Sequence, residues 1–331
     1  MKLLQRRGRL AIAICAMAAL LAACGGGFTL PPASPAADRN QAPARHRSAG
    51  YVYVSNRTQR GDSELLVYPA GVDDARPLLT VAKGLGDAGG LTVDDSGNVY
   101  LANGRAGNVL EFAPGGASLV QTYSLGLVDP VDVTVANGTL YVADRGGPSN
   151  GYLQQVTEYQ LGYPRQPFSI GGIGNFPQLN ESVAVNPVEE QGRFYVAATS
   201  WAAIPPRRCA AGGGSTVGEN IQPTLWRTVS LAENRQPSGL AFDADGNMYV
   251  SDACANDVTI YAYDGGAWPY AGKLRGTFHA PLLLTIEDQM LAVPSAMGGR
   301  IAVIDLTEKR SRVTISSGLT HPVGAVVGPR M

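Results

Sequence analysis

Residues 237–252 read PSGLAFDADGNMYVSD: a short apolar strand, a tight turn of acidic, glycine and asparagine residues, and a second apolar strand. Similar phrases occur at 90–103, GLTVDDSGNVYLAN, and at 131–144, VDVTVANGTLYVAD. Short apolar runs on either side of such turns predict β-hairpins. A phrase that recurs along a chain indicates a repeat architecture, in which each copy is one supersecondary unit.

The same pattern continues through the chain from Tyr51 onward. Each unit centres on a second strand, and the aligned residues of these strands are spaced by about 40 to 55 residues, the range of propeller blades. The aligned residues are Tyr53, Tyr100, Tyr141, Tyr195, Tyr249 and Leu291. Third strands that end in an aromatic residue follow at 64–68, 108–112, 156–159 and 258–261. The 41 glycines and 22 prolines fit many tight turns between short strands.

The two ends of the repeat region are incomplete units. Five complete units begin near residues 90, 131, 182, 239 and 282. Residues 321–328 have the form of a first strand alone, whereas 51–82 lack a first strand. Joining them gives a sixth blade and removes an open sheet edge. The sequence therefore predicts an all-β domain over 51–331, a six-bladed β-propeller of four-stranded antiparallel blades whose ring is closed by N- and C-terminal strands.

The phrase at 237–252 resembles the NHL repeat, through Pro237, Gly239, Gly246 and Asp252. Region 51–331 is similar in outline to the six-bladed propellers related to that repeat, which include streptogramin-lyase-like proteins and the gluconolactonase and paraoxonase group. Because binders, scaffolds and enzymes share this fold, the resemblance implies an architecture and assigns no function.

The first 50 residues have the pattern of an export signal followed by a linker. A basic start and an apolar stretch at 10–23 precede Leu21-Ala22-Ala23-Cys24, which resembles the lipobox of bacterial lipoproteins. The resemblance implies a signal peptide at 1–23, a lipid such as palmitate on Cys24, and anchoring to the membrane. Gly25 implies the outer membrane if the host is Gram-negative. Residues 24–50, rich in Gly, Pro, Ala and Ser, predict a disordered tether.

Polar residues gather where first strands begin and second strands end, which in this strand order is one face around the channel mouth. We call it the channel face. The ligand-binding candidates there are Asn56, Asn103, Asp129, Asp144, Asp252, His279 and His321. The alternative is that Asn and Asp at strand ends cap turns by bonding to the backbone. A divalent ion held by imidazole and carboxylate groups is a further alternative; no metal ligand is assigned and no cofactor is predicted.

Segment 200–226 departs most from the repeat and is predicted to be an insertion on the channel face. It adds Trp201, Arg207 and Arg208 to the ligand-binding candidates, since Trp and Arg dominate recognition hot spots. The alternative is a loop without function. Cys209 in this segment and Cys254 after the second strand of blade five predict a disulfide in an oxidising compartment.

Two classes of function remain open. The favoured one is an envelope lipoprotein that binds a protein, peptide or glycan through the channel face and the insertion. A formal net charge of −1 without a basic stripe predicts no nucleic-acid partner.

The other class is an ion-dependent hydrolase, lactonase or lyase at the channel mouth. Resemblance to calcium-dependent lactonases implies Asn or Asp before first-strand glycines, but Gly89 and Ser238 occupy two such positions, and only Asn180 and Glu181 match. No GxSxG or HExxH motif occurs. Residues 243–247, DADGN, are interpreted as a hairpin turn and not as a calcium loop.

Overall fold

A computed structural model of the protein describes ten ranges of residues, all within the compact unit 47–331. The ranges are 50–147, 155–165, 167–172, 180–188, 194–198, 216–222, 225–231, 236–265, 268–274 and 276–328. Strands dominate these ranges, with two single-turn 3-10 helices at Gly104–Ala106 and Ala296–Gly298. In the described ranges no helix has the length and apolar character needed to cross a membrane.

Antiparallel ladders group the strands into six four-stranded sheets, numbered here along the chain. Each is given from its first strand outward. Sheet 1 is β24 (His321–Gly328), β1 (Tyr51–Arg57), β2 (Ser63–Pro69) and β3 (Leu79–Val81). Sheet 2 is β4 (Ala88–Val93), β5 (Val99–Asn103), β6 (Asn108–Phe112) and β7 (Leu119–Tyr123). Sheet 3 is β8 (Pro130–Ala136), β9 (Thr139–Asp144), β10 (Gln155–Gln160) and β11 (Pro167–Gly172).

The other three sheets follow the same order. Sheet 4 is β12 (Asn180–Val185), β13 (Phe194–Ala198), β14 (Thr216–Gln222) and β15 (Leu225–Ser230). Sheet 5 is β16 (Pro237–Phe242), β17 (Met248–Asp252), β18 (Asp257–Tyr261) and β19 (Tyr270–Leu274). Sheet 6 is β20 (Thr285–Glu287), β21 (Met290–Ser295), β22 (Arg300–Asp305) and β23 (Arg310–Ile315).

The first strands contact one another from sheet to sheet, so they lie innermost, and the fourth strands lie at the rim. Burial follows this order. The second strands β5 and β17 are buried along their whole length, because each sheet is covered by a neighbour on both faces. The fourth strands β7 and β23 are mostly exposed. The protein is therefore an all-β propeller with four-stranded antiparallel blades, as the sequence predicts.

The core consists of apolar clusters between neighbouring sheets. Tyr53 and Leu65 of sheet 1 pack against Leu91 of sheet 2, and Tyr249 of sheet 5 packs in a cluster with Leu291 of sheet 6. Both tyrosines are among the aligned second-strand residues of the repeat, so the repeated aromatic is a core residue. Burying an aromatic of this size contributes about 2 kcal/mol or more of hydrophobic stabilisation.

Buried hydrogen bonds also join neighbouring sheets near the channel. Asp132 is central, because its carboxylate accepts from the Ser182 hydroxyl at 2.6 Å, and that hydroxyl oxygen accepts from the Leu240 amide at 3.1 Å. Sheets 3, 4 and 5 are thereby linked in series. The equivalent side-chain bonds elsewhere are Ser55 to the Gly89 carbonyl at 2.5 Å, Ser251 to the Leu282 carbonyl at 2.7 Å and Thr285 to the Ala325 carbonyl at 2.7 Å.

The two ends of the described chain meet in sheet 1. Strand β1 pairs along its length with β24, from Tyr51 opposite Gly328 to Arg57 opposite His321. This confirms the predicted closure by N- and C-terminal strands. The pairing extends to Gly50, assigned to the tether by sequence, whose amide donates to the Gly328 carbonyl at 3.2 Å.

The predicted insertion at 200–226 is wrong in extent. Residues 216–222 and the beginning of 225–230 belong to β14 and β15, the third and fourth strands of sheet 4. The sequence TVGENIQ hides its strand because Gly218 and Asn220 are residues that β-strands disfavour. Pairing with β13 on one side and β15 on the other overrides that preference.

Candidate functional site

The residue at the end of the second strand, or next to the end in sheet 1, has the same role in four sheets. Asn56, Asn103, Asp144 and Asp252 are each at most 1% exposed. Each pairs across the ladder with the beginning of the first strand, where the register shifts by a bulge. Because bulges aim the local backbone, these side chains point at the loop that enters the first strand.

The two aspartates hold that loop through backbone amides. Oδ2 of Asp144 accepts from Val128 at 2.7 Å, and Oδ1 accepts from Asp129 at 2.9 Å and Gly146 at 2.7 Å. Oδ1 of Asp252 accepts from the amides of Gln236, Cys254 and Ala255 at 3.3, 2.9 and 2.8 Å.

The two asparagines act in the same way. Oδ1 of Asn56 accepts from the amides of Thr320 and His321 at 3.0 and 3.1 Å. Oδ1 of Asn103 accepts from the Gly86 amide at 2.6 Å, and its Nδ2 donates to the Gly84 carbonyl at 3.1 Å. The turn-capping alternative therefore describes these four of the predicted ligand residues, which we call the clamp residues. Their Oδ1 atoms accept bonds from the protein's own backbone, and Nδ2 of Asn56 and of Asn103 also donates to the side chains of Glu64 at 2.6 Å and Asn108 at 2.9 Å.

The residues next to the clamp residues differ between sheets on the channel face, and Arg57 and Arg105 among them are exposed. Arg57 and Arg145 directly follow clamp residues in sheets 1 and 3, and Arg105 follows Asn103 by two residues in sheet 2. The same position holds Ala253 in sheet 5, and Ala296 follows the strand end of sheet 6.

The residue just before the first strand, or in sheet 6 just before the bridge at Pro281, bonds to the loop that follows the second strand. Carbonyls at this position accept from the residue after the second strand: Asp87 from Gly104 at 2.9 Å, Asp129 from Arg145 at 3.1 Å, Gln236 from Ala253 at 3.1 Å and Ala280 from Ala296 at 3.1 Å. At these positions the side chains are charged in sheets 1–3 and neutral in sheets 5 and 6, where the charged groups Arg300, Lys273 and Asp257 come from other positions. We call the charged part, made of Arg57, Asp87, Arg105, Asp129 and Arg145, the charged sector.

Electrostatic interactions connect the members of the charged sector. Arg57 forms an ion pair with Asp87. Burial raises the pKa of the Asp129 carboxyl; Arg145 acts against this, Asp144 and Asp87 add to it, and Arg105 opposes it, with a net increase. The Asp129 carboxylate lies against Gly104, where an added Cβ would be 2.6 Å from Oδ1. Glycine at 104 is thus what leaves room for this carboxylate.

The two predicted histidines lie in neighbouring sheets, and both are exposed. The Arg300 guanidinium lies 3.1 Å from Nδ1 of His279 and donates to the Thr277 carbonyl. His321 begins β24, opposite Arg57. Within the part of the chain that the structure describes, no group of three or more His, Cys, Asp or Glu side chains is placed to hold a metal ion.

The residues at the positions compared with lactonase ligands pack against or bond to neighbouring strands and turns. Gly89 adjoins the Val131 backbone so closely that no side chain fits. Ser238 is buried and donates to the Gln236 carbonyl at 3.2 Å. Asn180 pairs with Ala198 at the bulge of sheet 4. In the turn at 243–247, both oxygens of Asp243 accept bonds from within its own hairpin, including the Tyr249 hydroxyl at 3.1 Å, as a hairpin turn requires.

Other predicted residues lie outside the described ranges. They are Cys24, Trp201, Arg207, Arg208 and Cys209. The lipid on Cys24, the recognition role of the loop and the disulfide to Cys254 stay predictions.

The arginines of the charged sector were missed by sequence reasoning. Their signal is present in YVSNR at 53–57, YLANGR at 100–105 and YVADR at 141–145, where Arg follows the strand end in three successive repeats. In each case the arginine lies one or two residues after the Asn or Asp at the strand end.

Comparison with known proteins supports the fold. No known family matches the chain by its sequence pattern, and no curated protein matches it. Among solved structures, a chain from the crystal structure of a nidogen/laminin complex superposes with a TM-score of 0.62 at 15% identity, over 83% of this chain and 97% of that one. A putative gluconolactonase superposes with a TM-score of 0.56 at 16% identity, over 82% of this chain and 89% of that one. At these identities the likeness concerns the propeller fold.

Proposed function

We propose that the protein is an exported, lipid-anchored envelope protein whose propeller binds a partner protein through the channel face. In this proposal the six sheets close into one six-bladed ring, Cys24 carries the lipid, and residues 24–50 tether the ring to the membrane. If the host is Gram-negative, the membrane is the outer one.

The exposed charge of the channel face supports this proposal most directly. Four of the polar residues that the sequence assigns to a ligand are engaged as buried clamps, and the charged side chains of Arg57 and Arg105 next to them are exposed. A rigid ring that presents side chains from entry and exit loops is the usual way in which a propeller binds a partner. The nidogen/laminin complex is an example of a similar fold in a protein complex.

In this proposal the segment 199–215, which follows β13 in the sequence and contains Trp201, Arg207 and Arg208, contributes to the binding face. We propose that a disulfide from Cys209 to Cys254 fixes this segment to the neighbouring sheet 5. Such a crosslink lowers the conformational entropy that the segment loses on binding.

A second candidate is an ion-dependent lactone hydrolase. It is favoured by Asp129, a half-buried carboxyl with a raised pKa on the channel face, since such groups are common in catalytic sites. The putative gluconolactonase of similar fold is the reason to choose lactones as test substrates. Hydrolysis that requires added calcium and is lost in Asp129→Asn would favour this candidate over a binding protein.

The binding proposal is tested by blocking one face at a time. Met297 lies on the channel face and is 78% exposed, whereas Leu78 is 63% exposed in the loop between β2 and β3 on the opposite face. The variants Met297→Cys and Leu78→Cys are each coupled to a polyethylene glycol chain, in full-length protein held in mild detergent. Each is then crosslinked in solubilised host envelopes.

We expect one discrete crosslinked partner with unmodified protein and with the chain attached at 78, and its loss with the chain attached at 297. A partner that is retained in both cases, or lost in both, would contradict binding through the channel face.

A further inference from the structure

We propose that the charged sector binds an acidic segment of a partner protein, with Arg57, Arg105 and Arg145 as a row of carboxylate-binding groups. This inference rests on the proposed binding function and adds two things to it: the part of the face that is used and the chemistry of the ligand. It assigns no role to the segments outside the described ranges.

The row is built by the repeat itself. Arg57 is the last residue of β1, Arg145 directly follows β9, and Arg105 lies in the 3-10 turn that follows β5. The backbones are fixed by the clamp residues and by the bonds from Gly104 and Arg145 to the loop carbonyls. Three successive sheets thus present one guanidinium each from rigid positions, which reduces the ordering cost of binding.

The Arg57 and Arg105 side chains are exposed and so are accessible to a carboxylate, whereas Arg145 is half-buried. Arg105 is exposed and has no ion pair or hydrogen bond to any other described residue. The Arg57 side chain is 46% exposed even in its pair with Asp87. Exposed Arg60 and Lys83 lie in the adjoining loops and add positive charge to the same area, which exposed Asp62 partly offsets. A planar guanidinium binds carboxylates through two parallel hydrogen bonds, which gives direction as well as energy.

The positive charge stands out against an acidic domain. Of the 26 basic residues, 7 lie in residues 1–50, and of the 27 acidic residues only 1 does, so 51–331 carry a formal net charge of −7. Turns on the opposite face carry exposed acids, including Asp73, Asp95, Asp245 and Asp288, beside exposed bases such as Arg76 and Lys309. Three successive arginines occur in the charged sector, so an acidic ligand is attracted there, which favours one docking orientation.

The composition of the sector favours a peptide over a glycan or a nucleic acid. Single-stranded nucleic acids need aromatic platforms on which bases stack. The exposed aromatic residues of the described ranges are Tyr163, beyond β10, and Tyr270 on the outer strand β19. Asp87 and Asp129 lie between the arginines, where they oppose a continuous line of phosphates but accept bonds from peptide N–H groups.

The test measures binding of a fluorescent oligoglutamate peptide to the full chain in mild detergent, by anisotropy at low and at physiological salt. The variant is Arg105→Glu, whose side chain has no described partner to lose. The matched control is Arg76→Glu, an exposed arginine in the loop after β2 on the opposite face that changes the net charge equally. An oligogalacturonate of similar length serves as the glycan probe, and circular dichroism checks the fold of each variant.

We expect the peptide to bind more weakly as salt increases, Arg105→Glu to weaken binding about tenfold or more, and Arg76→Glu to change it less than twofold. Equal effects of the two variants, or stronger binding of oligogalacturonate than of the peptide, would overturn the inference. If the channel-face partner is captured by crosslinking while the peptide does not bind, the proposed function stands and this inference fails.

Discussion

Replacement of a clamp residue by alanine should destabilise the propeller far more than replacement of an exposed aspartate. Asp144 is fully buried, and its carboxylate accepts three backbone N–H bonds, from Val128, Asp129 and Gly146. An amide left without a partner in a buried site costs about 1–3 kcal/mol. Val128 and Asp129 are half-buried, so water replaces part of what they lose. We therefore expect Asp144→Ala to lower the free energy of unfolding by about 3 kcal/mol.

The assay is equilibrium unfolding in urea, followed by circular dichroism and tryptophan fluorescence. Asp144→Asn keeps one acceptor oxygen and should lose less, about 1–2 kcal/mol. Asp62→Ala is the control, because Asp62 is exposed and no hydrogen bond to its carboxylate is present among the described residues. A loss for Asp144→Ala no greater than that for Asp62→Ala would refute the clamp role. It would also restore Asp144 as a candidate for ligand binding.

Three further predictions concern packing and pH. In Gly90→Ala, the added methyl overlaps the Asp132 carboxylate, so urea unfolding should show a loss of about 2–3 kcal/mol, and a loss below about 0.5 kcal/mol would contradict the packing. The pKa of Asp74 is lowered by the hydroxyl and amide of Ser316 and by the Ser317 amide, so ionised Asp74 stabilises the fold above the unfolded value of 3.8, and this stabilisation is lost as pH falls through the lower folded value. The melting temperature of Asp74→Asn should therefore approach that of wild type in acid. A difference in melting temperature that does not change with pH would contradict this role of Asp74. Burial, with the charges of Asp288 and Asp95, raises the pKa of Glu287 to about 7 from 4.5, so ionisation of Glu287 destabilises the fold as pH rises between these values. Glu287→Gln should therefore have a higher melting temperature than wild type at alkaline pH and the same melting temperature in acid. An equal difference in melting temperature at both pH values would contradict this prediction.

The fold was predictable because its signals are local and repeated. The hairpin turns at 94–98 and 243–247 each carry Asp, Gly and Asn, and a tyrosine lies two residues further on. In the structure Asp94 accepts from the amide of Ser96 and the hydroxyl of Tyr100, so the turn and the core residue stabilise each other. Closure by both ends was also predictable from the number of strands. The C-terminal segment supplies one first strand and the N-terminal segment lacks one, so the two pair to complete a sheet.

Elements that depend on their neighbours were less predictable. Strand β14 has a weak pattern of its own and forms because β13 and β15 provide pairing. The first strand of sheet 6 begins later than the apolar run at 282–284 suggests, because Leu283 bridges to Gly324 of the adjacent sheet and β20 begins only at Thr285.

The candidate site shows the limit of residue type as evidence. Asn56, Asn103, Asp144 and Asp252 were placed correctly at strand ends, but the same chemistry serves a ligand and a turn cap equally well. Burial and the direction of the backbone amides distinguish the two, and both depend on tertiary structure. For Arg105 the residue type is typical of recognition groups, and the evidence for its role is its position after the strand end, which Arg57 and Arg145 share in neighbouring repeats.

The most direct test of binding through the channel face is hydrogen–deuterium exchange of the full chain with and without the crosslinking partner. The account predicts slower exchange at 57–62, 82–87, 104–107 and 124–129, the loops that carry or adjoin the charged sector. The turns at 70–78, 94–98 and 243–247, on the opposite face, should be unchanged. Protection of those turns with no change in the channel-face loops would contradict the central claim.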